Sequence, residues 1–101
     1  MGAAAQPLKP PDHWRGMELP TGWSENRENG WLERELVFAD FTAALAFVNR
    51  VGVLAEELNH HPDILLHGWN KVRLASWSHD VGAITDRDHA LAGKVNALLG
   101  D

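Results

Sequence analysis

The 101-residue sequence contains no cysteine, which excludes disulfide bonds and thiolate metal sites and fits a reducing compartment. Basic residues are few, since nine Lys and Arg stand against fourteen Asp and Glu, for a formal net charge of −5. This acidic balance argues against a surface that follows nucleic-acid phosphates. No apolar run approaches the roughly 20 residues that a membrane-spanning helix needs. We therefore expect a cytoplasmic protein with no membrane partner and no direct nucleic-acid partner.

Two common chemical motifs are also missing. No serine lies in a Gly-x-Ser-x-Gly elbow, and no glycine-rich phosphate-binding loop is present, so neither serine hydrolysis nor phosphate binding has support. The length suits one compact domain. Prolines at positions 7, 10, 11 and 20 indicate an irregular lead-in over residues 1–20, and residues 1–11 lack the basic and apolar pattern of a secretion signal. The single domain is predicted to span residues 21–101.

Hydrophobic patterning predicts six elements in the order β-β-α-β-β-α. Asn29-Gly30 stands between two candidate strands, a dipeptide typical of a two-residue hairpin turn. Asp40 is a suitable N-cap for a long helix, and Thr85-Asp86-Arg87-Asp88 is a capping-box pattern that begins the last helix. Hairpins separated by helices predict an α+β domain, with an antiparallel four-stranded sheet and both helices packed on one face.

One apolar stripe runs along the long predicted helix at spacings of three and four residues. We expect this stripe to face the sheet, because such spacing is typical of the core side of a helix. Its members are Phe41, Ala44, Leu45, Val48, Val51, Ala55 and Leu58.

Three of the six histidines lie where predicted elements end. His60 and His61 follow the long helix, and His79 ends the longest predicted strand. Imidazole exchanges a proton near neutral pH, which is the requirement of general acid–base catalysis. Successive side chains of an extended segment point to opposite sides, so at least one of His60 and His61 is expected to face a cleft or a partner.

Two other interpretations of these histidines stay open. In the first, they are solvent-facing loop residues, as polar side chains between elements commonly are. They also permit a three-histidine zinc site, although adjacent histidines rarely chelate one metal and no helical His-x-x-x-His pair is present. We expect no metal.

A longer pattern is more specific than the individual histidines, because it consists of several short segments that follow one another in a defined order and at defined spacings along the sequence. In combination the segments resemble the pterin-4a-carbinolamine dehydratase family, over about Leu32 to Leu99. They are AEELNHHPD at 55–63, WNKV at 69–72, SHD at 78–80 and GAITDRD at 82–88, preceded by FADF at 38–41 and ALAFVNRV at 44–51.

The resemblance implies the dehydration of 4a-hydroxytetrahydrobiopterin to the quinonoid dihydropterin, which recycles the pterin after aromatic amino-acid hydroxylation. This reaction needs two proton transfers and no cofactor. By analogy with the family, His60 and His79 are the acid–base residues, and His61 chiefly holds the substrate. The residues expected to bind the substrate or support its pocket are Glu56, Pro62, Trp77, Ser78 and Asp88. Trp77 is included because it shares a predicted strand face with His79, and a packed aromatic of the sheet is the alternative interpretation of this residue.

The resemblance also implies self-association, as a homodimer or homotetramer. Three departures from the family pattern stand in the motif: Asn59 where Asp is frequent, Ser78 in place of the commoner Thr, and Gly82-Ala83 in place of a frequent Ala-Gly or Gly-Gly. None of them removes a histidine. Relatives on the same fold imply an alternative function as a binding or assembly factor, of the transcription-factor dimerisation or RuBisCO assembly type. A pure scaffold has no need of His60, His61 and His79, so the sequence favours the enzyme.

Overall fold

Six elements follow one another in residues 18–101, the part of the chain that the computed structural model describes. The strands form one antiparallel sheet in the order β1-β2-β4-β3. The predicted α+β fold and its β-β-α-β-β-α order are therefore confirmed, whereas most of the predicted lead-in, residues 1–17, lies outside the described residues. The elements are β1 (Ser24–Asn26), β2 (Trp31–Val37), α1 (Phe41–Leu58), β3 (Asp63–His67), β4 (Lys71–Ser76) and α2 (Asp86–Leu99).

The core lies between the two helices and one face of the sheet. Alternate residues of β2 and β4 point to this face, and Leu32, Val72 and Leu74 have no exposed surface. Burial of such side chains contributes roughly 1.5–3 kcal/mol each. Neither helix of residues 18–101 packs on the other face of the sheet, so the aromatic and charged residues between the core positions are turned outward. Within residues 18–101, no helix is long and apolar enough to cross a membrane.

The apolar stripe predicted for α1 is wrong at several positions. Phe41 and Leu45 are 49% and 41% exposed, whereas Phe47 and Leu54 are buried; Leu58 is also exposed, at 37%. The helix carries apolar residues over more than one face, so periodicity alone does not select the face that meets the sheet. Phe47 is among the residues of α1 that face the core, and its ring lies at a centroid distance of 5.1 Å from that of Phe38.

The two-residue hairpin predicted at Asn29-Gly30 is also wrong. Asn26 pairs with Trp31, so four residues connect β1 to β2. The side chain of Asn26 accepts a hydrogen bond from the Asn29 amide at 3.0 Å, and its carbonyl accepts one from the Gly30 amide at 2.8 Å. Gly30 alone of the predicted pair has a positive φ, 76°. Local competition by the Asn26 side chain thus favours a longer turn.

Both helix starts are capped as predicted. Asp40 accepts a hydrogen bond from the amide of Ala43 at 2.8 Å, and Thr85 forms a full capping box with Asp88. Such caps stabilise a helix by about 1 kcal/mol each. The capping box fixes the first turn of α2 at the edge of the core, where its Asp88 is fully buried.

A polar cluster ties α2 to the sheet at the opposite end of the helix. Asn96 accepts hydrogen bonds from the Trp23 indole at 2.9 Å and from Arg34 at 2.5 Å, and it donates to the carbonyl of Thr21 at 2.9 Å. Arg34 also pairs with Asp101 at 2.7 Å. Because Asn96 is nearly buried, these bonds satisfy polar groups that would otherwise be costly to bury. The helix is therefore held at both ends.

Candidate active site

The three histidines singled out in the sequence line one surface cavity of about 290 Å³. Three segments build it: the turn after α1, the loop after β4, and the first turn of α2. Its volume lies just below the range of roughly 300–1,000 Å³ that is typical of small-molecule sites. The complete lining is Asn59, His60, His61, Trp77, His79, Asp80 and Arg87.

The turn after α1 brings His60 back against the core. Asn59 adopts a left-handed conformation (φ 50°, ψ 42°), which Asn tolerates better than most residues. The amide of Asn59 then donates a hydrogen bond to the carbonyl of Glu56 at 3.2 Å, and the amide of His60 donates one to the carbonyl of Ala55 at 3.0 Å. These two bonds form a Schellman motif. The motif reverses the chain, so His60 is 91% buried while His61 faces outward.

Asp88 is the centre of a buried hydrogen-bond network beneath His60. One carboxylate oxygen, Oδ1, contacts His60 Nε2 at 2.6 Å and accepts from Ser76 Oγ at 2.5 Å. The other, Oδ2, accepts from Ser78 Oγ and from the Thr85 amide, both at 2.9 Å. Four polar contacts to a carboxylate with no exposed surface satisfy it without solvent, as a buried charge requires.

The network assigns the proton on the His60 ring. The carboxylate of Asp88 accepts hydrogen bonds from Ser76, Ser78 and the Thr85 amide, and the same acceptor role toward His60 places a hydrogen on the Nε2 that faces it. The other ring nitrogen, Nδ1, is then left to exchange a proton with a molecule in the cavity. The directions of the neighbouring hydroxyl hydrogen bonds are fixed as well. Ser78 Oγ uses its hydrogen to donate to Asp88, so it accepts a hydrogen bond from Thr85 Oγ1, 2.6 Å away.

His61 and His79 occupy more exposed positions around the same cavity. His61 pairs through Nε2 with Glu56, and both side chains are largely exposed. His79 lies on a loop closed by the hydrogen bond from the Ser78 amide to the carbonyl of Ala83, at 2.9 Å. Its ring lies 4.5 Å from that of Trp77. The site therefore combines one buried, oriented imidazole with two accessible ones.

An ion pair that the sequence analysis missed lies beside the histidines. Arg87 donates to Asp80 at 2.6 Å, and this hydrogen bond is the main reason that the pKa of Asp80 is held below its ordinary value. The carboxylate is therefore charged at neutral pH. Asp80 and Arg87 both lie within the sequence motif quoted above. Their spacing does not predict the ion pair, because Asp80 lies on a loop and Arg87 on helix α2.

The other predicted site residues fall into three groups: one lines the cavity, two are buried beneath it, and two lie outside its lining. Trp77 lines the cavity. Ser78 and Asp88 have no exposed surface, so their position suits the support of His60 and not direct contact with a substrate. Glu56 contacts His61 from outside the lining, and Pro62 separates His61 from the start of β3. In residues 18–101, no three His, Cys, Asp or Glu side chains are placed to share a metal ion.

Fold and site together define an α+β protein with a small-molecule cavity suited to proton transfer by histidine. The family model described as pterin 4 alpha carbinolamine dehydratase matches residues 6–98. The chain belongs to this family, which confirms the resemblance seen in the sequence.

Proteins of known or assigned name agree with this placement. A Thermomicrobium roseum protein, provisionally named a pterin-4-alpha-carbinolamine dehydratase, is 49% identical over 81 residues, which is 80% of this chain and 83% of that protein. Pterin-4-alpha-carbinolamine dehydratase 2, mitochondrial, of Arabidopsis thaliana is 40% identical over 84 residues, covering 81% of this chain and 45% of the plant protein. These relatives support a dehydratase family.

Two solved structures share the fold. A transcriptional coactivator/pterin dehydratase from Brucella melitensis aligns with a TM-score of 0.72 at 29% identity, over 78% of this chain and 83% of that one. A pterin dehydratase-like protein, identified as a RuBisCO assembly factor in the alpha-carboxysome, aligns with a TM-score of 0.67 at 25% identity, over 79% of this chain and 92% of that one. The same fold therefore carries more than one function.

The Asp88 network yields a stability prediction. In Asp88→Ala, four polar groups lose their common buried partner, so the free energy of unfolding should fall by about 3 kcal/mol or more. Urea denaturation at neutral pH measures the change. Asp80→Ala is the matched control, since it removes an exposed carboxylate with one ion pair and should have a much smaller effect. Equal losses in the two variants would contradict the central place of Asp88.

Proposed function

We propose that this chain catalyses the dehydration of a 4a-hydroxytetrahydropterin, with 4a-hydroxytetrahydrobiopterin as the expected substrate, to the quinonoid dihydropterin. The observation that carries the proposal is the arrangement of three imidazoles around one cavity, with one of them oriented by a buried carboxylate. The family placement supports the same substrate class. This reaction would recycle the pterin that hydroxylases use. We propose that the protein is located in the cytoplasm.

The reaction releases water from neighbouring ring atoms. The bond between carbon 4a and the hydroxyl oxygen breaks as that oxygen takes a proton. The hydrogen on nitrogen 5 leaves as a proton, and its electron pair forms the new double bond between nitrogen 5 and carbon 4a. One acid and one base, placed near adjacent atoms, are sufficient for this balance.

We assign the base to His60 and the acid to His79. His60 has its Nε2–H bound to Asp88, so its Nδ1 can accept the proton while the carboxylate stabilises the imidazolium that forms, as in other His–Asp pairs. His79 is accessible on its loop and can donate to the departing hydroxyl. His61, held by Glu56, is assigned to binding the substrate.

The kinetic prediction follows from these roles. Loss of freshly generated 4a-hydroxytetrahydropterin should be accelerated by the wild-type protein. His60→Ala and His79→Ala should each lower the rate on the order of 10²-fold, the usual contribution of a proton-transfer group. His67→Ala is the control, because His67 pairs with Glu35 on the sheet and does not line the cavity. Spectrophotometric decay of the substrate provides the measurement.

Two results of the same assay would contradict the proposal. If folded wild type gives no acceleration, or if His67→Ala loses as much as the other variants, acid–base catalysis at this site is contradicted. The alternative function, a binding or assembly factor, would then be favoured, since one structural neighbour is a RuBisCO assembly factor. A pull-down would identify its partner.

We also propose that the chain forms a homodimer or homotetramer. Phe41 and Leu45 present exposed apolar surface on α1, and β1 and β3 are the edge strands of the sheet. Surfaces of both kinds are commonly covered by a second chain. Sedimentation at micromolar concentration should show a species at least twice the monomer mass of 11.2 kDa, and a single monomeric species would contradict this expectation.

A further inference from the structure

A line of aromatic rings leads out of the cavity. The ring of Trp77 lies 4.5 Å from that of His79 and 5.4 Å from that of Trp31, in tilted contact with both. Trp77 lines the histidine cavity, whereas Trp31 lines a separate concavity of about 330 Å³. The rings therefore form a continuous surface between the proposed reaction centre and a second recess.

The second recess lies on the face of the sheet opposite helices α1 and α2. Strand pairing sets Asp63 beside Ala75 and Leu65 beside Arg73, and all four line the recess together with Trp31. Ala75 is the shortest of these side chains, so the floor of the recess is low between its longer neighbours. We call these five residues the Trp31 shelf.

The indole of Trp31 is held in place before any ligand arrives. Its Nε1 donates to Glu33 Oε1 at 2.7 Å, and Asn26 donates to the same oxygen at 3.1 Å. These two hydrogen bonds are the main reasons that the pKa of Glu33 lies below its ordinary value, so the carboxylate stays charged and keeps the indole oriented. A side chain fixed in this way loses little entropy on binding.

The chemistry of the shelf suits a short hydroxylated carbon chain. Indole faces and Leu65, which is 43% exposed, offer apolar contact to C–H groups. The Asp63 carboxylate accepts hydrogen bonds from hydroxyls and the Arg73 guanidinium donates to them. An anionic chain is disfavoured, because Asp63 and Glu33 stand beside the single arginine.

We propose that the Trp31 shelf binds the substituent on carbon 6 of the pterin and selects substrates with a hydroxylated side chain there. This inference rests on the proposed function. Carbon 6 is bonded to nitrogen 5, which loses its proton beside the histidines, so the substituent begins next to the reaction centre. The contact between His79 and Trp77 leads from there towards Trp31.

Equilibrium binding of two stable 7,8-dihydropterins tests the proposal without requiring turnover. One carries a dihydroxypropyl group on carbon 6 and the other a methyl group. Titration calorimetry should give the wild type a lower Kd for the dihydroxypropyl compound. We define the Kd ratio as the Kd of the methyl compound divided by that of the dihydroxypropyl compound. In Trp31→Ala this ratio should fall roughly three- to tenfold, the range expected for one aromatic contact. Trp31→Phe should retain most of the preference.

Trp69→Ala is the matched control, because Trp69 is 60% exposed in the turn between β3 and β4, at the other end of these strands. It should leave the Kd ratio as in the wild type. Thermal unfolding of each variant checks that the fold is retained.

The outcomes separate this inference from the proposed reaction. A Kd ratio that is the same in wild type and folded Trp31→Ala and Trp31→Phe would overturn the shelf, even if the dehydratase assay succeeds. A failure of the dihydroxypropyl compound to bind the wild type, or equal Kd values for the two compounds in the wild type, would overturn it as well. A ratio that falls in Trp31→Ala would support the shelf, even if the dehydratase assay shows no turnover, in which case only the reaction would be contradicted.

Discussion

The buried carboxylate of Asp88 is the interaction on which the rest of the site depends. It closes the capping box that begins α2, receives hydrogen bonds from Ser76 and Ser78 of the sheet side, and orients His60. A charge in this position is tolerated only because every contact is made. The same set of bonds therefore stabilises the fold and fixes the imidazole, so loss of the carboxylate should affect both.

Backbone geometry delivers His60 to this carboxylate. The left-handed Asn59 reverses the chain after α1, which turns one of two adjacent histidines inward and the other outward. Asn at this position has a conformational role, because it adopts a positive φ more readily than most residues. The departure from the more frequent Asp thus removes a charge beside the histidines and retains the turn. Two neighbouring residues of the same type acquire different chemistry in this way.

Local signals in the sequence were sufficient for the element order and for both helix starts, because Asp40 and Thr85 act on amides within the next few residues. Periodicity failed where tertiary packing decides, as for Phe41, which is exposed, and Phe47, which is buried. The ion pair of Asp80 with Arg87 joins a loop to a helix, and no local pattern predicts such a meeting.

In the candidate site, too, the sequence predicted some features, whereas others depend on tertiary packing. The motif resemblance identified His60, His61 and His79, and the structure places them around one cavity. The buried support of His60 depends on side-chain direction. Ser78 and Asp88 were expected to contact or support the pocket, and their complete burial follows from the alternation along the strand end and from the capping box. Spacing alone does not separate a residue that touches the ligand from one that holds its neighbour.

The most direct test of the account is the tautomer of His60, measured by nitrogen-15 NMR at a pH where the ring is neutral. The account predicts hydrogen on Nε2, because the Asp88 carboxylate accepts a hydrogen bond there. In Asp88→Asn this preference should weaken, since the amide also offers donors. A neutral ring protonated on Nδ1 in the wild-type protein would contradict the claim that Asp88 orients the imidazole.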